Sequence, residues 1–133
     1  MDIENDRVKA ARALLSAIER SDRAALLEIY ADEVVQIDHP NLLKTRGDRR
    51  TRETMLRDLD RGKQLLREQR YEVISAVSDG DRVALQVCWT GVLAVPVATM
   101  GAGEAWRCQS AIFLRFQGDR VVEQSDYDCF ELF

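Results

Sequence analysis

Residues 30–40 read YADEVVQIDHP, and within this stretch the chain changes from an amphipathic helix to a short strand. The β-branched run VVQID predicts the strand, and Pro40 disfavours helical backbone at His39 because the proline ring crowds the residue before it. The strand therefore ends in Asp38 and His39, an acid followed by the only histidine of the chain. These two residues are the first candidates for a chemical centre.

Two helices are predicted before this strand. Apolar residues at three- and four-residue spacing predict a helix over residues 5–20 with one buried face. Ser21 followed by Asp22 predicts an N-cap with an acid in the first turn, from which a second helix runs to Tyr30. The two helices form a pair with almost no linker between them.

A third helix is predicted after the strand. Asp48 or Thr51 can cap it, and its apolar spacing continues to about residue 69. Gly62 falls near its apolar side, although glycine in a helix interior costs about 1 kcal/mol relative to alanine. Gly62 is therefore expected to leave space for a ligand or for a closely approaching strand.

From Tyr71 to the C-terminus the hydrophobic pattern has period two, which predicts strands. Asp79-Gly80 and Gly118-Asp119 supply the turns of two hairpins. Residues 93–105 form the longest connection, either a lid or an inert hairpin extension. Helices followed by strands predict an α+β fold in which the helices pack on one face of an antiparallel sheet.

Alternation assigns the inward face of two strands but not of the last one. The predicted inward residues are Val83, Leu85, Val87 and Trp89 in one strand, and Trp106, Cys108, Ser110, Ile112, Leu114 and Phe116 in the next. In the last strand one face carries Val122, Gln124, Asp126, Asp128 and Phe130, and the other carries Val121, Glu123, Ser125, Tyr127 and Cys129. Periodicity alone does not decide between them.

Three segments together resemble a known family: AALLEIYADEVVQIDHP (24–40), DGDRVALQVCWTGVL (79–93) and AIFLRFQGDRVVEQSDY (111–127). The chain resembles the nuclear transport factor 2-like superfamily, in its SnoaL-like (polyketide-cyclase-like) and ketosteroid-isomerase-like branch. The resemblance implies one α+β domain over residues 1–133. It would be a cone-shaped barrel, with the N-terminal helices in the concave face of a strongly curved, mainly antiparallel sheet. A hydrophobic pocket between helices and sheet, and a homodimer through the outer sheet face, are also implied.

The resemblance also implies a site. Matching the isomerase pattern places Asp38 at the general base and puts the Asp126 face of the last strand toward the pocket. The implied catalytic residues are Asp38, His39 and Asp128, and the implied substrate-binding residues are Tyr30, Trp89, Trp106, Gln124 and Asp126. The same matching leaves Leu14 and Ile112 where the tyrosine and aspartic acid of the isomerase's oxyanion hole would stand, so steroid isomerisation is not expected.

Local chemistry offers a structural alternative for each of these residues. Asp38 can cap the turn at His39-Pro40, and His39 can be a surface residue. The two tryptophans can simply be core. Asp126 and Asp128 can form surface ion pairs, for which the sequence offers Arg107, Arg115 and Arg120.

Composition excludes several classes of function. The chain has 133 residues and net charge −4, and its densest basic run, RGDRRTR at 46–52, lacks interleaved aromatics, so nucleic-acid binding is not expected. The sequence has no apolar run of membrane-spanning length and no secretory signal at its N-terminus, so we expect a cytoplasmic protein without a membrane partner. Three cysteines about 20 residues apart predict buried thiols, not a disulfide framework, and one histidine with scattered acids predicts no metal site.

The function predicted from the residues and the resemblance is a small-molecule isomerase, cyclase or dehydratase. It would use pocket carboxylates on an apolar substrate and no cofactor, with Asp38 as base and His39 or Asp128 as acid partner. The alternative is a non-catalytic ligand-binding or dimeric interaction module of the same fold. A mixed polar and aromatic outer sheet face supports the homodimer, and its members are Gln86, Thr90, Arg107, Gln109, Phe113 and Tyr127.

Overall fold

Three helices and six strands make up residues 3–132, the part of the chain that the computed structural model describes. The helices are α1 (Ile3–Glu19), α2 (Arg23–Ile29) and α3 (Arg52–Leu65). The strands are β1 (Tyr30–Asp38), β2 (Asp48–Thr51), β3 (Leu66–Asp79), β4 (Arg82–Leu93), β5 (Ala105–Gln117) and β6 (Arg120–Phe130). Within these residues, no helix is long and apolar enough to cross a membrane.

The strands form one sheet in the order β2-β1-β6-β5-β4-β3. Neighbouring strands are antiparallel except β1 and β6, which are parallel, so the sheet is mixed. The sheet is open because β2 and β3 lie at its two edges. Helices packed against this sheet confirm the α+β prediction, while the short strand β2 was not predicted.

Helices α2 and α3 begin at side-chain caps. The Asp22 carboxylate accepts a hydrogen bond from the Ala25 backbone N–H (3.1 Å) and starts α2, so Asp22 is itself the N-cap. Thr51 caps α3 in the same way. The apolar faces of the helices and the inner face of the sheet then share one core, which includes Leu14, Leu15, Leu26, Val34, Leu56, Val87, Leu114 and Phe116.

The third helix is shorter than predicted. It ends at Leu65, and the following residues pair with β4, with Leu66 opposite Leu93 and Gln69 opposite Gly91. The prediction of helix to residue 69 was wrong because these residues supply the partner that the far end of β4 requires. Backbone pairing along a long hairpin outweighs the weak helix preference of a few residues.

The predicted inward faces of β4 and β5 are confirmed, with Val83, Leu85, Val87, Trp106 and Phe116 among the residues nearest the core. In β6, where the pairing register shifts between Arg115 and Phe116 of the partner strand, the successive residues Val121 and Val122 are both buried. Only Val121 joins the main core, so the placement of Val122 on the pocket side was wrong. A β-bulge reverses the alternation, and periodicity alone cannot locate one.

The connection between β4 and β5 is a hairpin extension. Val97 and Met100 pair with each other, and backbone hydrogen bonds join Leu93 to Gly103 and Glu104. In the described structure, no residue from 94 to 104 lines the cavity between α3 and the sheet, so the structure does not support the hypothesis that this connection is a lid.

The outer face of the sheet carries an exposed aromatic pair. Phe113 and Tyr127 lie half-exposed there in edge-to-face contact. Aromatic residues of this kind are frequent at protein surfaces that bind other proteins. The homodimer stays a prediction.

The three cysteines differ in burial. All three are free; Cys108 is buried, whereas Cys129 is exposed. The expectation that every thiol is buried was therefore wrong for Cys129.

Candidate active site

A cavity of about 330 Å³ lies between α3 and the inner face of the sheet. Helices α1, α2 and α3 supply mainly aliphatic side chains to its wall, and the strands supply aromatic and acidic ones. Seven of the eight residues predicted for the site line this cavity: Tyr30, Asp38, Trp89, Trp106, Gln124, Asp126 and Asp128. The cavity is large enough for a small organic molecule.

Parallel pairing of β1 with β6 brings the acids together. Gln36 lies opposite Gln124 and Asp38 opposite Asp126 in the register of the two strands. The Gln36 amide donates hydrogen bonds to Asp38 Oδ1 (2.6 Å) and to Asp126 Oδ2 (2.9 Å). One amide therefore holds both carboxyl groups at the same end of the cavity. Gln36 is fully buried, and sequence analysis did not single it out.

Asp126 is the acid whose protonation is most altered by its surroundings. The Gln124 amide donates to both of its oxygens (3.1 and 3.2 Å), and the Tyr30 hydroxyl donates to Gln124 Oε1 (2.5 Å). Burial, and then the nearby carboxylate of Asp128, raise the pKa of Asp126 to about 7, although its amide partners lower it. Asp126 therefore exchanges its proton near neutral pH.

Asp38 is held by two cations that the sequence analysis did not connect with it. Lys44 Nζ lies 2.8 Å from Asp38 Oδ2, and Arg50 Nη2 lies 3.7 Å from the same oxygen. Lys44 also contacts Asp48 (3.1 Å). The turn between β1 and β2 brings both cations back over the end of β1, which is why a local reading of the sequence could not find them.

Arg50 is the more enclosed of the two cations at this end of the cavity. Its Nε donates to Gln36 Oε1 (2.8 Å), and Nη1 lies 3.0 Å from Asp58 of α3. Burial lowers the pKa of Arg50, but the charges of Asp38 and Asp58 more than offset this effect and raise it. Arg50 thus joins β1, β2 and α3 through one guanidinium group.

Asp128 and Tyr71 stand further along the cavity. Ser110 Oγ donates to Asp128 Oδ1 (2.6 Å), and burial raises the pKa of Asp128 above its ordinary value. Tyr71 of β3 also lines the cavity, and burial followed by the charge of Asp126 raises its pKa, so it stays a neutral hydroxyl donor. Sequence matching placed no such donor in the site, because Tyr71 lies on a strand that the matching did not use.

The far end of the cavity is aromatic. The Trp106 ring stacks on Phe130 at 5.0 Å, and Trp89 contacts Trp106 edge to face at 5.9 Å. A side chain at Gly91 would lie 2.5 Å from the Trp89 ring, so only glycine leaves room for the indole there. Trp89 Nε1 donates to Gln69 Oε1 (2.9 Å), which fixes the ring as part of the wall.

His39 does not join the other predicted residues. It follows Asp38 by one position, so its side chain points to the opposite face of the strand. There the ring stacks on Tyr127 at 3.9 Å, outside the cavity. The His39 backbone N–H donates to the backbone carbonyl of Asp126 (3.0 Å), but within the described residues its ring contacts the carboxyl group of neither Asp126 nor Asp128. Asp126 and Asp128 form no ion pair with Arg107, Arg115 or Arg120 within the described residues, and Arg115 pairs with Glu123 instead.

Comparison with known proteins identifies the family. The sequence profile of the SnoaL-like domain matches residues 11–124, most of the chain. The chain belongs to the SnoaL-like domain family. This result confirms the resemblance on which the fold was predicted. No curated protein sequence matches the chain.

Solved structures share the SnoaL-like fold at low sequence identity. IdmH, a proposed polyketide cyclase from Streptomyces antibioticus, is 20% identical with a TM-score of 0.79, over 92% of this chain and 91% of IdmH. A proposed SnoaL-like polyketide cyclase from Jannaschia sp. CCS1 is 17% identical (TM-score 0.76; 96% and 88% covered). An LEH-like epoxide hydrolase from M. tuberculosis is 14% identical (TM-score 0.73; 98% and 86% covered). These similarities show the fold.

Gly62 lies in the wall of this cavity next to open space. It lines the cavity from α3, and a Cβ placed on it would meet no atom within 4 Å. Of the two predicted reasons for this glycine, space for a ligand is therefore the one that fits. We expect Gly62→Ala to raise the free energy of unfolding by about 0.5–1 kcal/mol, because alanine is the better helix former. The measurement is urea denaturation.

A larger side chain at the same position is expected to fill the cavity. Gly62→Phe should weaken binding of a neutral probe such as 2-naphthol by about tenfold or more, because the cavity loses volume. Quenching of Trp89 and Trp106 fluorescence reports the binding, since these are the two tryptophans of the chain. Gly62→Ala is the matched control and should keep the affinity. Equal affinity in the phenylalanine variant would show that this position faces away from the ligand.

Proposed function

We propose that the chain is an isomerase or cyclase in which Asp126 exchanges a proton with a small, largely apolar molecule held in the cavity. The observation that carries this proposal is the setting of Asp126. Its carboxyl group lines the cavity, is held by the amides of Gln36 and Gln124, and forms no ion pair within the described residues. Proton-transfer residues act best when their pKa lies near the working pH.

Asp126 and Asp38 would take different roles because their partners differ. The oxygens of Asp38 are already occupied, Oδ1 by the Gln36 amide and Oδ2 by Lys44 and Arg50. Asp126 has only amide partners and a pKa of about 7. We therefore assign proton transfer to Asp126 and electrostatic support to Asp38, which revises the role of base predicted for Asp38.

The proposed step begins with Asp126 in its acid form. It donates the proton to an unsaturated carbon or a carbonyl oxygen of the ligand, which gains positive charge. The carboxylate left on Asp126 accepts hydrogen bonds from Gln36 and Gln124. Loss of a proton from a neighbouring carbon to Asp126 then gives a shifted double bond and restores the acid. In a cyclisation, the π electrons of a second double bond of the ligand would first attack the cation and form the ring bond, and the proton would then be lost from the carbon next to the new cationic centre.

Other groups in the cavity would support this step. Asp38 and Asp128 place negative charge near the developing positive charge, which lowers the energy of the transition state. Tyr71 offers a hydroxyl that can orient an oxygen of the ligand. The aromatic and aliphatic walls hold the apolar part of the molecule and exclude water.

The test follows the double-bond shift of a simple unsaturated ketone, 3-cyclohexen-1-one, by proton NMR. We expect kcat/KM to be constant below about pH 7 and to fall about tenfold per pH unit above it, since only the acid form of Asp126 donates. Asp60→Asn, which changes an exposed acid of α3, is the control and should leave the profile unchanged. A rate equal to that of buffer, or a profile without this decrease, would contradict the proposal.

One observation favours the second candidate, a non-catalytic ligand-binding module. The ion pairs of Asp38 with Lys44 and Arg50 satisfy the carboxylate that the family resemblance assigns to catalysis. In that case the cavity would bind a ligand and release it unchanged. The same NMR experiment separates the two candidates, because binding without conversion shifts ligand resonances and yields no product.

A further inference from the structure

The cavity contains more acids than bases. Its lining includes four carboxyl groups, Asp38, Asp58, Asp126 and Asp128, and two basic groups, Lys44 and Arg50. Each cation already bridges two acids: Lys44 contacts Asp38 and Asp48, and Arg50 contacts Asp38 and Asp58. Asp126 and Asp128 therefore face the cavity without a cationic partner from the described part of the chain.

Asp128 lies at the boundary between the acidic and aromatic ends. On the inner face of β6 it stands between Asp126 and Phe130, because alternate residues of a strand share a face. Ser110 occupies its Oδ1 atom, whereas Oδ2 has no hydrogen-bond partner within the described residues. Phe130 lines the same cavity two residues further along β6.

The rings next to Asp128 suit a cation with apolar substituents. Phe130 stacks on Trp106, and both rings contact the edge of Trp89. Aromatic faces attract ammonium groups, tryptophan most strongly, and they also bury the carbon substituents of such groups. A bare metal ion would require more oxygen ligands than this wall provides, and an anion would meet the charges of two carboxylates.

We propose that the ligand of this cavity carries a positively charged organic nitrogen, with the ammonium group beside Asp128 and the apolar substituents against Trp89, Trp106 and Phe130. This inference rests on the proposed function only in taking the cavity as the ligand site. It names the class of ligand, an organic amine with an apolar body. The two carboxylates that lack a protein cation would then be paired by the ligand.

The pH dependence of binding follows from the groups around the ammonium. Asp126 faces it from β6, with Tyr30 and Asp38 from β1, Asp58 from α3, Tyr71 from β3, Cys108 from β5, and Lys44 and Arg50 from the segment after β1. Burial and the nearby charge of Asp128 raise the pKa of Asp126 to about 7. Its deprotonation adds negative charge, so affinity for a permanent cation should increase between about pH 6 and pH 8.

The test compares two molecules of nearly the same shape, benzyltrimethylammonium and its neutral isostere neopentylbenzene. Fluorescence quenching of Trp89 and Trp106 measures both affinities in the full chain, and phenylacetate serves as the anionic probe. We expect the cation to bind about tenfold or more tightly than the isostere near pH 8, and phenylacetate to bind more weakly than either. Equal affinities, or no quenching by the cation at about 10 mM, would overturn the proposal.

A variant tests the position of the ammonium. Asp128→Asn keeps an oxygen that accepts the hydrogen bond from Ser110. The variant should bind the cation about tenfold more weakly than wild type does, and its affinity for the isostere should be unchanged. Asp60→Asn is the matched control outside the cavity and should change neither affinity. An equal loss for both probes would mean that Asp128 shapes the cavity and does not bind the charge.

The experiment distinguishes failure of this inference from failure of the proposed function. Cation-selective binding without any double-bond shift would contradict the proposed function but support the proposed class of ligand. Turnover that depends on Asp126, with equal affinity for the cation and the isostere, would support the proposed function but contradict the proposed class of ligand.

Discussion

Replacing Asp126 by asparagine is expected to lower kcat/KM for the proposed proton transfer by about 10²–10⁴-fold, the usual contribution of a general acid or base. The asparagine side chain has nearly the same shape and keeps one oxygen for the amides that now donate to Asp126. The loss should therefore come from the missing proton and not from a collapsed cavity. Asp60→Asn should retain full activity.

The same substitution is expected to stabilise the fold above neutral pH. The pKa of Asp126 is raised from 3.8 to about 7 in the folded protein, so the folded state binds more protons than the unfolded state between these values. The free energy of unfolding of the wild type should therefore decrease as pH rises from about 4 to about 7. Asparagine removes this dependence because it carries no ionisable proton.

The gain at about pH 8 should be about 1–2 kcal/mol. The substitution removes the free-energy cost of burying the Asp126 carboxylate, and the open cavity already reduces this cost by screening the charge. Asparagine also loses one hydrogen bond from an amide, which offsets about 1 kcal/mol of the gain in stability. Urea denaturation of wild type and variant at acidic and alkaline pH measures the difference. A variant that is less stable than wild type at alkaline pH would contradict the raised pKa, whatever its activity.

Arg50→Met is expected to cause the largest loss of stability, about 2–4 kcal/mol. Its side chain is 18% exposed, and its guanidinium contacts Asp38, Asp58 and Gln36. Methionine fills a similar volume but leaves Asp58 with only Arg61 (3.6 Å) and Asp38 with only Lys44 among its cations. Breaking an enclosed ion pair on one side costs more than the pair contributes, because the remaining charges stay out of water.

Lys44→Met provides the comparison. Lys44 is 36% exposed, so water can replace it beside Asp38, and we expect a loss of about 1 kcal/mol or less. The double variant Arg50→Met, Asp58→Asn should recover part of the stability, since it removes an unpaired carboxylate together with its partner. Urea denaturation near neutral pH measures the free energy of unfolding of the two single variants and the double variant. A loss at Arg50 no larger than that at Lys44 would show that the guanidinium group is solvated and not structural.

The sequence alone predicted the inner wall of the cavity on β4 and β5 correctly. Trp89, Trp106 and Ser110 were placed on inward faces by alternation, which is a local property of a strand. The resemblance placed Val122 on the pocket side, which was wrong because a bulge reverses the alternation there. Helical spacing predicted helix over Leu66–Gln69, where pairing with β4 gives a strand. The family resemblance chose the inward face of β6, which periodicity had left open.

The sequence by itself thus determined the α+β class, the three helices and the acids near the ends of β1 and β6. Only the tertiary structure decided which of these groups meet. Parallel pairing places Gln36 beside Asp126, 90 residues away, and the turn after β1 returns Lys44 and Arg50 to Asp38. Burial and neighbouring charge, which set the proton affinity of Asp126, are properties of that assembled environment and have no signature in local sequence.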